Sequence, residues 1–154
     1  MVYCALCQSI LTYCITVWGG AAKTLLLPLE RAQRAVLKVM TFKPFRYPTV
    51  QLLDDCKTLS VRQLFILGTV LRKHSTLKYD KSITTKRRSR VVCQTYRCRS
   101  SLAARHHNVI SCRLYNKINI QCNIYPLSRF ECKRKVLNWL LNKSYEYTES
   151  LLKI

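Results

Sequence analysis

Acidic residues are scarce in this chain: seven Asp and Glu stand against 27 Lys and Arg among 154 residues, with only three His. So few carboxylates and imidazoles build no convincing paired-carboxylate or Ser/His/Asp constellation, and nothing in the sequence supports catalysis by this chain alone. Asp54-Asp55 invites a metal-holding reading. The pair follows Leu52-Leu53 in a helical pattern, and the only upstream carboxylate is Glu30, so it reads as a solvated helix end.

Charged side chains are also missing from the first 22 residues. A secretory signal would carry a basic leader before its apolar run, and none precedes this one. Gln8, Ser9, Thr12 and Thr16 recur opposite the apolar positions, which suits a half-buried helix better than a lipid-embedded one, so no membrane partner is expected. Nine cysteines are an odd number, scattered over helical patterns, which argues against a disulfide framework. Thiols such as Cys7 and Cys14 fall on apolar faces and pack as small hydrophobes, so an intracellular chain is expected.

What the chain does have is apolar content and positive charge. At 49% apolar it supports one modest core, in one domain or a domain fragment with a polar interruption. Tyr3, Leu6, Cys7, Ile10, Leu11, Cys14, Val17 and Trp18 recur at spacings of three and four, and Leu25, Leu29, Ala32, Val36, Leu37 and Met40 resume that period. Between the runs, Gly19-Gly20 supplies residues able to take positive φ at a helix end. The spacing predicts a helical hairpin over 1–40, with Trp18 buried, Pro28 near the first turn of its second arm, and Glu30, Arg31, Gln33, Arg34 and Lys38 on the outer face.

Thr41 to Pro48 reads as a loop in which Phe42, Phe45 and Tyr47 alternate with Lys43 and Arg46. Such a loop can stack bases while holding phosphate; the alternative, favoured by the usual role of rings at bundle ends, is that they cap the core. Thr49 and Ser60 are candidate caps of two further helices, the second with Val61, Leu64, Phe65, Leu67 and Leu71 inward and Arg62, Arg72 and Lys73 outward. Near the C-terminus, Ser128-x2-Glu131 has capping-box spacing. Phe130, Val136, Leu137, Leu140 and Leu141 follow on one face, and Thr148 stands at the start of a last turn.

The charge is unevenly placed: residues 1–60 carry +4, residues 61–113 carry +12 and residues 114–154 carry +4. So strong a central excess repels itself unless solvated or neutralised, and phosphate is the usual neutralising partner. Arg72, Lys73, Lys86, Arg87, Arg88, Arg90, Arg97, Arg99 and Arg105 are therefore the candidate nucleic-acid contacts. The dense run Lys86-Arg87-Arg88-x-Arg90 also fits a nuclear address or a solvated loop. Cys93-x4-Cys98-x7-His106-x5-Cys112 has the residue types of a zinc site at the edge of the permitted spacing, while a cysteine-rich chain produces such a pattern by chance. No cofactor is expected beyond this weak zinc candidate. The fold class is mostly α: a small helical bundle, its N-terminal hairpin joined by further helices, with a basic and poorly ordered central segment. Helices are expected over 1–73 and 114–154, flanking a loop-rich 74–113.

The spelling is more specific than the periodicity. Ser9-x3-Tyr13-x-Ile15-x2-Trp18-Gly19-Gly20, then Leu29-x3-Gln33-Arg34-x2-Leu37-Lys38, Leu52-Leu53 and Val61-Arg62-Gln63-Leu64, resembles the region just downstream of the polymerase domain in reverse transcriptases of non-LTR (LINE-class, Jockey-like) retrotransposons. Arg90, Tyr115-Asn116, Phe130-x2-Lys133 and Trp139-Leu140-Leu141 follow in the order of such C-terminal tails. Cys14 stands where that pattern usually has Gly, and Ile118-Asn119 where it has Leu-Pro. Some LINE-class polymerases carry a C-terminal Cys/Cys/His/Cys cluster, with a spacing that differs from the one here. The resemblance implies a C-terminal polyprotein fragment without the catalytic palm, partnered by RNA or DNA and by the rest of the reverse transcriptase. The alternative is a degenerate or truncated retroelement fragment acting at most as a helical interaction module.

Overall fold

A computed structural model describes residues 3–79, 92–95, 97–100, 103 and 106–152. Among them the regular structure is helical: a π-helical turn over Cys4–Gln8, then α1 Ser9–Thr12, α2 Ile15–Trp18, α3 Lys23–Met40, α4 Thr49–Cys56, α5 Val61–Tyr79, α6 His107–Cys122, α7 Arg129–Leu141 and α8 Tyr145–Leu152. The expected boundary at 73/74 falls inside α5, and helix resumes at His107, inside the expected loop-rich segment.

Helix α5 is the axis of the bundle. Its first seven residues, Val61 to Leu67, are all buried, because α1, α2 and α3 pack on one side of it and α6, α7 and α8 on the other. Covered all round over these residues, the helix has no outer face there for a charge, and Arg62, expected outside, is buried. The core is built on Leu64, Phe65, Ile66 and Val70 against Leu114, Tyr115 and Ile118 of α6 and Val136 and Leu140 of α7. His74 lies within it: its Nε2 is 3.0 Å from the Leu127 carbonyl and its Nδ1 is 2.9 Å from the Tyr115 hydroxyl. Because a carbonyl only accepts, Nε2 carries a proton; in the neutral ring Nδ1 then accepts from Tyr115. A second, smaller core joins Tyr3, Leu37 and Leu52.

The N-terminal hairpin is present, with its first arm broken. Tyr13 is extended (φ −61°, ψ 120°) and Cys14 is left-handed (φ 49°), which separates α1 from α2. The Tyr13 carbonyl accepts instead from Trp18 Nε1 at 2.8 Å. The break turns the arm, so Tyr3, Leu11 and Ile15 face inward while Leu6, Ile10, Tyr13 and Val17 are exposed. In the second arm the expected faces are exchanged over most of their length. The buried stripe is Leu26, Glu30, Gln33 and Leu37, leaving Leu25, Val36, Val39 and Met40 outside. Helical spacing fixes which residues share a face but leaves open which face finds a neighbour. Gln33 turns inward because its Nε2 donates to the Tyr3 hydroxyl and the Leu59 carbonyl, both at 2.8 Å. Pro28 sits inside α3 one turn later than expected, since the helix already starts at Lys23.

Neither Gly19 nor Gly20 has positive φ; close approach explains Gly19 instead, where a Cβ would lie 2.6 Å from Phe65 Cδ2. The capping expectations divide. Ser60 and Gln63 cap α5 reciprocally (Ser60 N to Gln63 Oε1 2.9 Å, Gln63 N to Ser60 Oγ 3.3 Å), and Ser128 with Glu131 forms the capping box of α7. Thr49 lies inside α4 without a capping bond, its hydroxyl accepting from Arg34 Nη1 at 3.3 Å. Thr148 is buried within α8, where its hydroxyl donates to the Tyr145 carbonyl. On α7 the buried face is Cys132, Val136 and Leu140, and Phe130 is exposed. No helix among the described residues is long and apolar enough to cross a membrane.

Candidate nucleic-acid interface

Of the nine candidate cations, Arg72, Lys73, Arg97 and Arg99 fall on described residues; Lys86, Arg87, Arg88, Arg90 and Arg105 lie outside them. Arg72 is exposed on α5 and reaches back to α2, where its Nη1 donates to Thr16 Oγ1 at 3.2 Å. Its neighbour Lys73 is half-buried beside the Cys112 thiol, and Arg97 and Arg99 are exposed. Val92 and Cys93 are tied to the bundle by Asn116 on α6. That side chain accepts from the backbone N–H groups of Val92 (3.1 Å) and Cys93 (2.9 Å) and donates to the Cys93 carbonyl at 2.8 Å. Asn116 thereby replaces the backbone pairing that an irregular segment lacks.

Arg72 borders a shallow cleft of about 320 Å³, lined by Thr16, Trp18, Phe65, His107 and Ile110 among others. Trp18, expected to be buried outright, is only half-buried on its rim. Burial pushes the His107 imidazole below its ordinary range, and the Arg72 guanidinium adds to the shift, so the ring is neutral at pH 7 and Arg72 provides the charge there.

The four zinc candidates do not converge. Cys93 and Cys112 are buried side by side, with their thiols hydrogen-bonded, while Cys98 is half-buried and His106 exposed. Among the described residues no group of three His, Cys, Asp or Glu is placed to hold a metal ion. The Cys93 hydrogen bond holds the Cys112 thiol below its usual range against burial, with the Lys73 ammonium helping. The same bond and burial push Cys93 up. All nine cysteines are free thiols.

Two features stand out, one that the sequence pattern missed and one for which it left two readings open. The first is the Arg62 hub: its Nη1 donates to the carbonyls of Gly19 (3.1 Å) and Ala21 (3.0 Å), and its Nε makes a 2.9 Å ion pair with Glu149, outside hydrogen-bond geometry. The second is the Thr41–Pro48 loop, whose Phe42 and Phe45 do not cap the core at all. Their exposures are 95% and 91%. Tyr47 instead donates to Asp55 at 2.8 Å, and Lys43 pairs with the same carboxylate at 3.4 Å. The Tyr47 hydroxyl and then Lys43 hold the exposed Asp55 carboxyl below its ordinary range. Asp54 is exposed as well.

Comparison of the chain with protein families, with curated proteins and with solved structures returned no match.

Proposed function

We propose that this chain is the region downstream of the polymerase domain in a non-LTR retrotransposon reverse transcriptase, without its palm, and that it binds RNA or DNA backbone without reading sequence. The carrying observation is how the acids are spent. Among the described residues Glu30 accepts from Tyr145, Asp55 is held by Lys43 and Tyr47, Glu131 caps α7 and Glu149 pairs with Arg62. Only Lys43 and Arg62 among the described cations have a carboxylate partner, so most of the +20 charge is left for an external polyanion.

The polar residues of the resemblance also have work in this fold. Gln33 ties α3 to Tyr3 and Leu59, Gln63 donates to the Leu140 carbonyl at 2.9 Å as well as capping α5, and Asn116 clamps the basic segment. Cys14, standing where the reverse transcriptase pattern usually has Gly, adopts the left-handed conformation that glycine takes most readily. Catalysis is assigned to the missing palm. Asp54→Asn with Asp55→Asn should therefore change no rate, and primer extension by the isolated chain that this pair abolishes would overturn the reading.

The binding test compares two quadruple variants. Replacing Lys86, Arg87, Arg88 and Arg90 by Ser should flatten the dependence of log affinity on log salt by about 0.7 to 0.9 for each phosphate that is no longer neutralised, with sequence preference unchanged. The unmodified chain should bind unrelated sequences with Kd on the order of 10⁻⁴ to 10⁻⁶ M near physiological salt. The control replaces Arg31 of α3 and Arg129, Lys133 and Lys135 of α7, all exposed and outside the central segment, by Ser. An equal weakening in both would leave unspecific charge and remove the central segment from the proposal. A second reading, a helical interaction module, is favoured by one observation: Leu6, Ile10 and Val17 of the first arm and Leu25 and Val39 of α3 are apolar and exposed.

A further inference from the structure

The end of α3 holds an aromatic ring in a backbone conformation that favours glycine. Phe42 follows the helix at φ 52°, with Phe42 N bonded to the Val39 carbonyl (3.3 Å) and Lys43 N to the Lys38 carbonyl (3.0 Å). This is the Schellman arrangement, whose left-handed position is usually glycine. A side chain there is strained, and a ring 95% exposed gains no packing in return. Three residues on, Phe45 is 91% exposed, with the Lys38 ammonium 5.6 Å from its ring centre; Lys38 also donates to the Phe45 carbonyl. Lys43 and Arg46 alternate with the rings, and no acid occurs from Thr41 to Pro48. The loop borders the small core of Tyr3, Leu37 and Leu52, whereas Cys93, in the central segment, belongs to the main core.

We infer that Phe42 and Phe45 are a stacking platform for unpaired bases of a single-stranded nucleic acid, whose phosphates are met by Arg46 and Lys38. The inference rests on the nucleic-acid reading above and adds to it a preference for single strands. Two exposed π faces flanked by cations suit a polyanion that also offers flat apolar groups, and every base has such a face. In a duplex the bases already stack on one another, so the rings gain little there.

The test uses the full chain with Phe42→Gly and Phe45→Ala, leaving every cation in place. Glycine relieves the left-handed position, so the thermal melt should stay unchanged or rise, which separates loss of the rings from loss of the fold. Binding is read with a fluorescent 20-nucleotide thymidine strand, with the same length of mixed-sequence duplex, and with vesicles of phosphatidylserine and phosphatidylcholine. Single-strand affinity should fall on the order of tenfold or more per ring, while duplex affinity and the salt slope stay within about twofold. Unchanged single-strand affinity overturns the platform; if the central Lys86, Arg87, Arg88, Arg90 variant still loses binding in that case, the broader nucleic-acid reading survives it. An equal weakening on strand and duplex also overturns it, since stacking discriminates them. Loss of vesicle binding with single-strand binding intact would assign the rings to a membrane surface and overturn it too.

Discussion

Gly19→Ala with Gly20→Ala gives the sharpest test of why two glycines stand together after α2. If they served positive φ, both would resist substitution, but neither takes it. A Cβ at Gly19 would lie 2.5 Å from the Ile15 carbonyl oxygen and 2.6 and 2.9 Å from Phe65 carbons, all well inside van der Waals range. Neither neighbour yields cheaply. The Ile15 carbonyl already accepts from Gly19 N at 2.7 Å, the Gly19 carbonyl accepts from Arg62, and Phe65 is fully packed in the core. Overpacking of this kind costs about 1 to 3 kcal/mol, and the backbone clash places Gly19→Ala near the upper end. For a domain of this size that is a fall of roughly 6 to 12 °C in Tm. At Gly20 the nearest atom is Phe65 Cζ at 3.4 Å, an ordinary van der Waals separation, so Ala there is neutral or raises stability by about 0.4 to 1 kcal/mol through a less flexible unfolded chain. Far-UV circular dichroism melts of the two single variants decide it. A Phe65→Leu background should weaken the Gly19→Ala penalty, because the two sites touch and couple. Equal destabilisation at 19 and 20, or an unchanged Gly19→Ala melt, would refute close approach as the reason for the glycine.

Two further outcomes follow from buried charge. Arg62→Ala strands the Glu149 carboxylate and two backbone carbonyls and should cost about 3 to 5 kcal/mol, whereas Arg62→Met with Glu149→Leu should recover part of that stability; a single variant as stable in urea as the parent would place Arg62 outside the core. Burial pushes the Glu30 carboxyl above its ordinary range despite the Tyr145 hydrogen bond, so the folded protein holds that proton more tightly than the unfolded chain. Its ionisation penalty is fully present above the folded pKa and is relieved as pH falls through it toward the ordinary glutamate range. Melting from pH 7 to pH 5 should therefore favour the parent progressively over Glu30→Gln, and a constant difference between the two would remove Glu30 as the source.

Helix-forming content was legible in the residues because it rests on local spacing. The break after the first arm at Gly19-Gly20, the Ser60 start and the Ser128-Glu131 capping box all involve atoms within a few residues of one another, and the residue types at those positions carry the signal. Segmental charge is equally local, so the basic centre is evident from counting. Tertiary structure decided which side of each helix is inside. Glu30 and Gln33 displace Leu25 and Val36 from the interior because Tyr145, Tyr3 and the Leu59 carbonyl lie on the polar side, and those partners come from 26 to 115 residues away. The same holds for Arg62, whose burial depends on Glu149 and on carbonyls left open beyond α2. Cys93 and Cys112 meet without completing a metal-holding group of three among the described residues, since ligand types in order along a chain say nothing of where Asn116 clamps it. Hydrophobicity by itself assigns the rings of Phe42 and Phe45 to the core. A helix ending at Met40 and a left-handed residue just beyond it turn them to solvent, where packing no longer explains them.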